Sequence, residues 1–330
     1  MNSFGKLFRV SIFGESHGIG VGVVMDGTPA GIPLKEADLL ADLSRRRSGA
    51  KGTTPRKESD IPRIISGVFN ERTTGAPITI LFENTNTRSR DYSKLRETPR
   101  PGHADFTASQ KFGGYEDYRG GGHFSGRLTL GLVAAGVLAK KIINPAVVGA
   151  KILEVGGNPN IEEAIDKAVE EQDSIGGIIE CTSSNMPQTL GEPFFDSVEA
   201  VLSHMIFSIP AIKGIEFGSG FAAAKMKGSE HNDNFVSVDG KTETNYAAGI
   251  NGGISNGNDL VFRIAVKPTS SIHPAQRTIN IKTGEMVDLS VEGRHDLCIA
   301  LRVPVVCEAA TAIVLADFML QAQKVNRIFE

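Results

Sequence analysis

Four of the seven histidines lie in glycine-flanked segments that also carry Arg or Ser. A single histidine in such a loop is most simply a solvated side chain. Four in one pattern favour a shared site, because histidine is the side chain that exchanges protons near neutral pH. The four are His17, His103, His123 and His295.

A run of glycines precedes His123 and is typical of an anion site. Arg119-Gly120-Gly121-Gly122 leads to Ser125, a good N-cap, and then to a segment with helical periodicity. Bare backbone N–H groups and a helix N-terminus can bind phosphate, although a plain turn is the alternative interpretation. Guanidinium forks suited to carboxylate or phosphate occur at Arg45-Arg46-Arg47, Arg100, Arg127 and Arg294.

Two known motifs match locally but fail against their sequence context, and two others are absent. Gly14-Glu15-Ser16-His17-Gly18 matches the nucleophile elbow G-x-S-x-G, but the residues after it alternate Gly with β-branched side chains and predict a strand where the elbow needs a helix. Gly218-Ser219-Gly220 lacks the βαβ context of a dinucleotide fingerprint. The chain has no P-loop sequence. Its histidines and cysteines also lack zinc-ligand spacing, so we expect no metal.

The composition excludes several classes of protein. The 330 residues carry a net charge of −3, which gives no global basic field to attract nucleic acid. Three cysteines without C-x-x-C spacing predict buried, reduced thiols in a cytoplasmic protein. The N-terminal segment has no apolar signal region, and the apolar run Leu128–Ala139 is shorter than the roughly 20 residues that span a bilayer, so we expect no membrane segment.

Strands and helices are mixed along the chain in a way that favours an antiparallel α+β fold over a doubly wound sheet, because they do not alternate strictly. We predict strands at Leu7–Phe13, Gly20–Met25, Ile61–Phe69, Pro77–Glu83, Ala146–Val155, Gly176–Cys181, Asp259–Lys267 and Leu301–Val306. We predict helices at Glu36–Arg47, Gly126–Ile143, Ile161–Gln172, Asp196–Phe207 and Cys307–Lys324, with caps at Ser125 and Asn160.

The organisation of the chain favours one domain over residues 1–330. Two long Ala-rich helical segments, Gly126–Ile143 and Cys307–Lys324, each follow an Arg/Gly-rich segment with a histidine, which raises the hypothesis of two repeated halves. Two polar, Arg-rich stretches, Arg45–Arg63 and Asn84–Arg100, are predicted as long exposed loops that act as lids.

The residues alone therefore indicate an enzyme that handles a small polyanion and transfers protons through histidine. Six segments, in this order, also make the chain resemble the chorismate synthase family over essentially its whole length. They are Gly14-Glu15-Ser16-His17-Gly18, Arg45-Arg46-Arg47-Ser48-Gly49, Arg100-Pro101-Gly102-His103-Ala104-Asp105, Asp117-Tyr118-Arg119-Gly120-Gly121-Gly122, Lys267-Pro268-Thr269-Ser270-Ser271 and Gly293-Arg294-His295-Asp296.

The resemblance implies a lyase of the shikimate pathway, which leads to the aromatic amino acids. Such an enzyme eliminates phosphate from 5-enolpyruvylshikimate 3-phosphate to give chorismate, and it needs reduced FMN without net redox change. It also implies helices sandwiched between antiparallel β-sheets and a homotetramer. The family positions that hold the substrate's carboxylates and phosphate correspond to Arg46, Arg100, Arg127 and Arg294.

The resemblance also implies roles for single residues. His17 would donate a proton to the leaving phosphate, His103 would protonate the flavin near N1 and O2, and Asp296 would assist flavin N5, the base for the ring hydrogen. Ser16 and Ser125 would give supporting hydrogen bonds. The flavin contacts would be His123, Phe124, Ser125, Pro210, Ala211, Gly252, Lys267, Pro268, Thr269, Ser270, Ser271 and Arg294.

The sequence departs from the family pattern at two places. His123-Phe124 stands where many members have Arg-Ser, and the basic loop after Arg47 is shortened, with Lys51 in place of the usual second Arg region. Arg46 is the position that would contact a nicotinamide phosphate. The short loop and the missing dinucleotide fingerprint predict a chain that depends on an external supply of reduced flavin.

Two other classes of function remain open on the residues alone. A non-catalytic flavin- or phosphate-binding module would need the glycines and arginines but not the combination of His17, His103 and Asp296. A phosphate-ester hydrolase would share the anion site and release phosphate by adding water.

Overall fold

Two antiparallel sheets lie on either side of a pair of long apolar helices. The computed structural model describes residues 2–54, 58–85, 94–291 and 295–329. One sheet packs on each helix, and the two helices pack on each other. The predicted α+β sandwich is confirmed.

The first sheet has five strands, and its central hairpin presents His17. Arg9 pairs with Asp26 and Gly14 with Val21, so the residues from 15 to 19 form the turn. The strands lie in the order β1-β2-β3-β7-β4, with β5 and β6 as a separate small hairpin. The bounds are β1 Ser3–Phe4, β2 Arg9–Gly14, β3 Gly20–Asp26, α1 Glu36–Arg46, β4 Pro62–Ser66, β5 Val68–Phe69, β6 Arg72–Thr73, β7 Ile78–Glu83, α2 Asp105–Phe112 and α3 Thr129–Ile142.

The second sheet has four strands in the order β10-β13-β9-β8, again antiparallel. The two-stranded pairs β11/β12 and β14/β15 stand apart from it. The bounds are β8 Val147–Val155, α4 Ile161–Glu171, β9 Gly177–Ser184, α5 Val198–Ile206, β10 Ile212–Phe217, α6 Gly228–His231, β11 Ile250–Asn251, β12 Ile254–Ser255, β13 Leu260–Val266, β14 Gln276–Ile279, β15 Met286–Leu289 and α7 Val303–Gln321.

Helices α3 and α7 form the centre of the core because small residues let them approach closely. A Cβ at Gly136 would lie 2.3 Å from the Ala309 Cβ. The segment Ile299–Gln321 has the length and the mean hydropathy, 1.9, of a membrane span, yet 78% of its most apolar window is buried inside the protein. An apolar surface on all sides suits a helix that is surrounded by protein.

Most predicted elements are confirmed with shifted ends, and one is wrong. Leu301–Val306, predicted as a strand, forms the end of a 3₁₀ turn, Ile299–Arg302, and the first turn of α7. A short valine-rich run cannot be assigned by periodicity alone, and Pro304 in the first helical turn favours the helix because no partner is lost there. The segment Gly126–Ile143 likewise divides into a 3₁₀ turn, Gly126–Leu128, and α3.

The long polar loop after α1 differs from the prediction of an exposed segment. Arg46 belongs to α1, and Arg46, Thr54 and Asp60 are all buried. Much of the second predicted lid, from residue 86 to 93, lies outside the described residues.

The predicted buried thiols are confirmed, since Cys181, Cys298 and Cys307 are free and buried.

Candidate active site

A cavity of about 1000 Å³ lies where the N-terminal ends of α3 and α7 meet. Leu128, Thr129 and Leu132 line it from the first helix, and Arg302, Val303 and Val306 from the second. Two helix N-termini at one cavity give it a positive potential. This volume lies at the upper end of the range for small-ligand sites, so the cavity has room for a cofactor together with a small substrate.

Two buried guanidinium groups share one carboxylate at the cavity wall. Arg127 Nη1 lies 2.8 Å from Asp60 Oδ1, and Arg46 Nη1 lies 3.6 Å from Asp60 Oδ2. Burial, together with the neighbouring cations Arg302 and Arg127, lowers the pKa of Arg46 to about 9, although Asp60 and Asp296 oppose this. The wall therefore holds more buried positive charge than the protein compensates, which favours an anionic ligand.

His103 is held by a carboxylate and an arginine. Its Nδ1 lies 2.7 Å from Asp105 Oδ1, so we assign the Nδ1 proton to that bond, and Nε2 faces Gly121. Arg100 donates to both Asp105 oxygens at 2.7 Å and to Ser271 Oγ at 2.9 Å. Burial raises the pKa of Asp105, but the hydrogen bonds from Arg100 and His103 outweigh it and hold that pKa well below its usual range.

The triple-glycine loop separates His17 from the cavity. His17 is buried, and a Cβ at Gly120 would lie 2.7 Å from its Nε2 and 2.9 Å from Ser16 Oγ. Gly120 lines the cavity and has a φ of 61°, so only glycine allows this approach without strain. Ser16 N donates to Gly122 O at 3.0 Å and ties the two turns together. His17 and Ser16 thus lie at the edge of the cavity, behind its lining.

The residues that follow the glycines line the cavity, and most are tied to backbone. His123 Nδ1 lies 2.8 Å from Gly14 O, at the end of β2. Phe124 is half exposed in the cavity wall. Ser125 Oγ accepts from Arg127 N at 3.3 Å, which confirms the predicted cap.

The second half of the chain contributes a wall of backbone and small side chains. Lys267 N donates to Ala211 O at 2.8 Å, and Lys267 Nζ donates to Ser270 Oγ at 2.7 Å. Within the described part of the chain the Thr269 hydroxyl is buried without a hydrogen-bond partner. The predicted contacts that line the cavity here are Pro210, Ala211, Lys267, Pro268, Thr269, Ser270 and Ser271.

Asp296 also lines the cavity, where it joins two distant segments. Its Oδ1 accepts from Thr54 N at 2.9 Å, and its Oδ2 lies 3.0 Å from Arg302 Nη1. Arg302 Nε in turn donates to Arg46 O at 2.8 Å. This arrangement places Asp296 beside the guanidinium cluster.

One predicted contact, Gly252, does not line the cavity. Gly252 lies in the turn between β11 and β12, and its neighbour Gly253 accepts from Val198 N at the start of α5. Only the far end of that helix, at His204 and Met205, lines the cavity, about 9–10 Å away at 1.5 Å per residue. Arg294 lies outside the described residues.

Several polar residues at the site were not predicted from the sequence, and three of them hold its charged groups. Asp60 and Asn84 stand in polar stretches with no motif, and Arg302 lies in the segment taken for a strand. Each is defined by its partner in the fold: Asp60 and Asn84 contact Arg127, and Arg302 contacts Asp296. The described residues contain no group of three or more His, Cys, Asp or Glu that could hold a metal ion.

Comparison with known proteins gives a consistent set of relatives. The profile described as chorismate synthase matches residues 8–320. The chorismate synthase of Chitinophaga pinensis is 67% identical over 331 residues and covers all of both chains. That of Dehalococcoides mccartyi (strain ATCC BAA-2100) is 45% identical and covers 100% of this chain and 99% of its own.

A solved structure is also similar over nearly the whole chain. It is titled "Crystal Structure of Chorismate Synthase" and superposes with a TM-score of 0.73 at 26% identity. The match covers 97% of this chain and 93% of that chain. The two-sheet sandwich is therefore a fold that this structure shares.

Proposed function

The chain belongs to the chorismate synthase family, a family of carbon–oxygen lyases, and we propose that it eliminates phosphate from 5-enolpyruvylshikimate 3-phosphate with reduced FMN. The C–O bond to phosphate breaks, a ring hydrogen is lost as a proton, and a new C=C bond forms in chorismate. No net oxidation occurs. The observation that carries the proposal is that two buried guanidinium groups, Arg46 and Arg127, share the single carboxylate of Asp60, because the substrate has two carboxylates and a phosphate.

We propose that Arg46, Arg127 and Arg100 surround this polyanion. Arg46 and Arg127 face the cavity with only the Asp60 carboxylate between them. Arg100 is bonded to Asp105 and Ser271, which suits a group that also fixes the position of His103. Guanidinium forks match the planar geometry of carboxylate and phosphate. We retain Arg294 as a fourth candidate, which lies outside the described residues.

The residues of the cavity fit a flavin. Thr269 lines the cavity with a hydroxyl that has no hydrogen-bond partner among the described residues, Phe124 and Val306 offer apolar surface, and Lys267 offers a cation. We propose that this wall, with His123, Ser125, Pro210, Ala211 and the residues from 267 to 271, holds FMN. When bound, the reduced flavin supplies electron density for the elimination and a base at N5. Gly252 is not at this cavity, so a contact from it would need another copy of the chain.

Protein side chains manage the remaining protons. His103 lines the cavity and its Nδ1 is held by Asp105, and we propose that its Nε2 protonates the flavin near N1 and O2. His17 lies against Gly120 at the edge of the cavity, and we propose that it donates to the leaving phosphate. We propose that Asp296 assists at N5, with Ser16 and Ser125 in supporting hydrogen bonds.

Three further features of the protein are part of the proposal. Phe194 and Phe195 are 88% and 93% exposed in this single chain, which supports assembly as a homotetramer that covers them. Arg46 is only 3% exposed and bonded to Thr129, which favours its substrate role over contact with NADP. We therefore propose that the reduced flavin is supplied from outside. We also propose, separately, that the enzyme works in the cytoplasm.

One anaerobic experiment tests this function. The pure protein is mixed with substrate and either dithionite-reduced FMN, oxidised FMN, or oxidised FMN with NADPH, and both phosphate and chorismate are measured. We expect both products only with reduced FMN. Phosphate without chorismate would indicate a hydrolase, and neither product in any arm would indicate a binding module. Steady turnover with NADPH would contradict the external supply of reduced flavin.

A further inference from the structure

Asn84 connects the turn that carries His17 to the side chain of Arg127. It follows β7 directly, beside the start of β3. Its Nδ2 donates to Glu15 O at 3.0 Å and to Gly18 O at 2.9 Å. Its Oδ1 accepts from Arg127 Nε. The amide orientation is fixed by chemistry, because two carbonyls need a donor and a guanidinium needs an acceptor.

The two ends of this connection have different consequences. Asn84 holds the carbonyls on both sides of Ser16 and His17, so it sets the direction in which the turn presents the imidazole. Arg127 uses its other nitrogens on Asp60 Oδ1 and, at 3.4 Å, on Glu83 O. The Asn84 bond therefore fixes the third side of the guanidinium and its rotation toward the cavity.

We propose that Asn84 is a positioning residue that sets the His17 turn and the Arg127 fork in register with each other. The inference rests on the proposed function, in which Arg127 holds the substrate and His17 donates to the phosphate that leaves it. A proton donor and an anion fork that act on one molecule must keep a fixed separation, and a displacement of about 1 Å can cost on the order of 100-fold in rate.

The turn has other supports, so replacing Asn84 leaves the fold intact. Gly18 N donates to Glu15 O at 3.1 Å, which closes the turn, and Ser16 N donates to Gly122 O. The backbone N of Asn84 also donates to Ile19 O at 3.1 Å, and substitution does not remove that bond. The side chain thus adjusts the turn without being its sole anchor.

Two substitutions test the two ends. Asn84→Asp keeps an acceptor for Arg127 but removes both donations to the turn, so we expect a kcat lowered by about 10- to 100-fold. Its added carboxylate also offsets positive charge at Arg127, so we expect weaker binding of the anionic substrate as well. Asn84→Ala removes both ends, so we expect the same loss in kcat and, in addition, an affinity about 10-fold weaker. Affinity is measured by calorimetric titration of substrate into the flavin-free protein.

A double-mutant cycle asks whether the rate effect passes through His17. In a His17→Ala background, Asn84→Asp should lower kcat by less than about 2-fold further, because the group that it positions is gone. Asn158→Ala is the matched control: Asn158 also braces a turn, through Asn160 N at 2.8 Å, but Asn160, unlike Arg127, does not line the cavity. We expect its kcat and affinity to equal those of wild type.

Three outcomes would overturn the inference: a full and independent loss of kcat in the His17→Ala background, wild-type substrate affinity in Asn84→Ala, or wild-type kinetics in both variants. The imidazole ¹⁵N signals of His17 provide a readout without turnover, and we expect them to shift in Asn84→Asp. Wild-type protein that forms no chorismate with reduced FMN would refute the proposed function instead. Even if the proposed function failed, unchanged His17 signals in Asn84→Asp would separately refute the positioning role of Asn84.

Discussion

The first sheet with α3 and the second sheet with α7 share a topology but contribute differently to the cavity. Apart from the edge strand β1 of the first sheet, each sheet has four main strands. When these are numbered by their order along the chain, they lie side by side in the order first, second, fourth, third. A helix follows the second strand and a long apolar helix follows the fourth. This common order supports the hypothesis that the chain contains two repeated halves.

The equivalent positions make the comparison specific. Arg127 stands two residues before α3 and Arg302 directly before α7, and each is paired with a carboxylate, Asp60 or Asp296. The helix after the second strand also ends at the cavity in both halves, with Arg46 in the first and Met205 in the second. The two sheets with their helices thus provide two equivalent sets of positions at the cavity.

The chemistry at those places differs between the halves. In the first half the connection between the first two strands is a short turn with His17, whereas in the second it contains α4. The first half supplies Arg46, Arg127 and His103, while the second supplies the segment around Thr269 together with the Asp296–Arg302 ion pair. We infer that the first half carries most of the anion binding and proton transfer, and that the second shapes the flavin wall.

The largest effect that tests this division is on kcat. His17→Ala and His103→Ala, both in the first half, should each lower kcat by roughly 10- to 10⁴-fold, the range for loss of a positioned acid or base. Steady-state turnover with reduced FMN measures it. His231→Ala in the second half is the control, since His231 bonds Ser219 Oγ away from the cavity lining.

Circular dichroism accompanies these variants. A native spectrum with wild-type kcat would remove that histidine from the mechanism, and a loss of kcat in His231→Ala as large as in the others would break the proposed division between the halves. A melted spectrum would show that the histidine serves the fold.

The next effect separates the two equivalent arginines. Arg127→Ala should weaken substrate binding by about 1.5–3 kcal/mol, the cost of a charged hydrogen bond, and leave FMN affinity unchanged. Arg302→Ala should act mainly on kcat, because its side chain holds Asp296. Separate titrations of FMN and substrate measure this. A selective loss of FMN affinity in Arg127→Ala would assign Arg127 to the cofactor.

A third prediction concerns the contact between the halves. Gly136→Ala places a methyl group 2.3 Å from the Ala309 Cβ, so α3 and α7 must separate. We expect a loss of about 1–3 kcal/mol in the free energy of unfolding, measured by denaturant titration. Gly149→Ala in β8, which has no atom within 4 Å of the added Cβ, should be neutral or slightly stabilising. Equal stability in the two variants would contradict close packing of the helices.

The sequence predicted the repeating elements well because alternation and helical periodicity report burial directly. It failed at Leu301–Val306, where the same valines suit a strand and a buried helix, and Pro304 was the available signal for the helix. Motifs located His103, Arg127 and Thr269 at one cavity. Asp60 and Asn84 escaped because their importance lies in partners from 43 to 67 residues away along the chain.

The smallest effect that we predict depends on pH and probes a buried ion cluster between the halves. Glu308 of α7 accepts from Arg45 at 2.6 and 2.7 Å and from Lys140 at 2.9 Å, so a carboxylate of the second half is held by cations of the first. Burial raises the pKa of Glu308, but these hydrogen bonds outweigh it and leave the pKa below its usual value.

Because the folded pKa lies below the unfolded value of about 4.3, the stability that Glu308 contributes is present above that pH and is lost as the pH falls through the folded pKa. Glu308→Gln should therefore cost about 1 kcal/mol in the free energy of unfolding at pH 7, since Arg45 is half exposed and can turn to water. The difference from wild type should shrink as the pH is lowered from 5 toward 3. Glu171→Gln, an exposed residue 3.9 Å from Lys167, should differ little at any pH. A constant difference for Glu308→Gln across that range would mean that shape, and not charge, joins the two halves at this point.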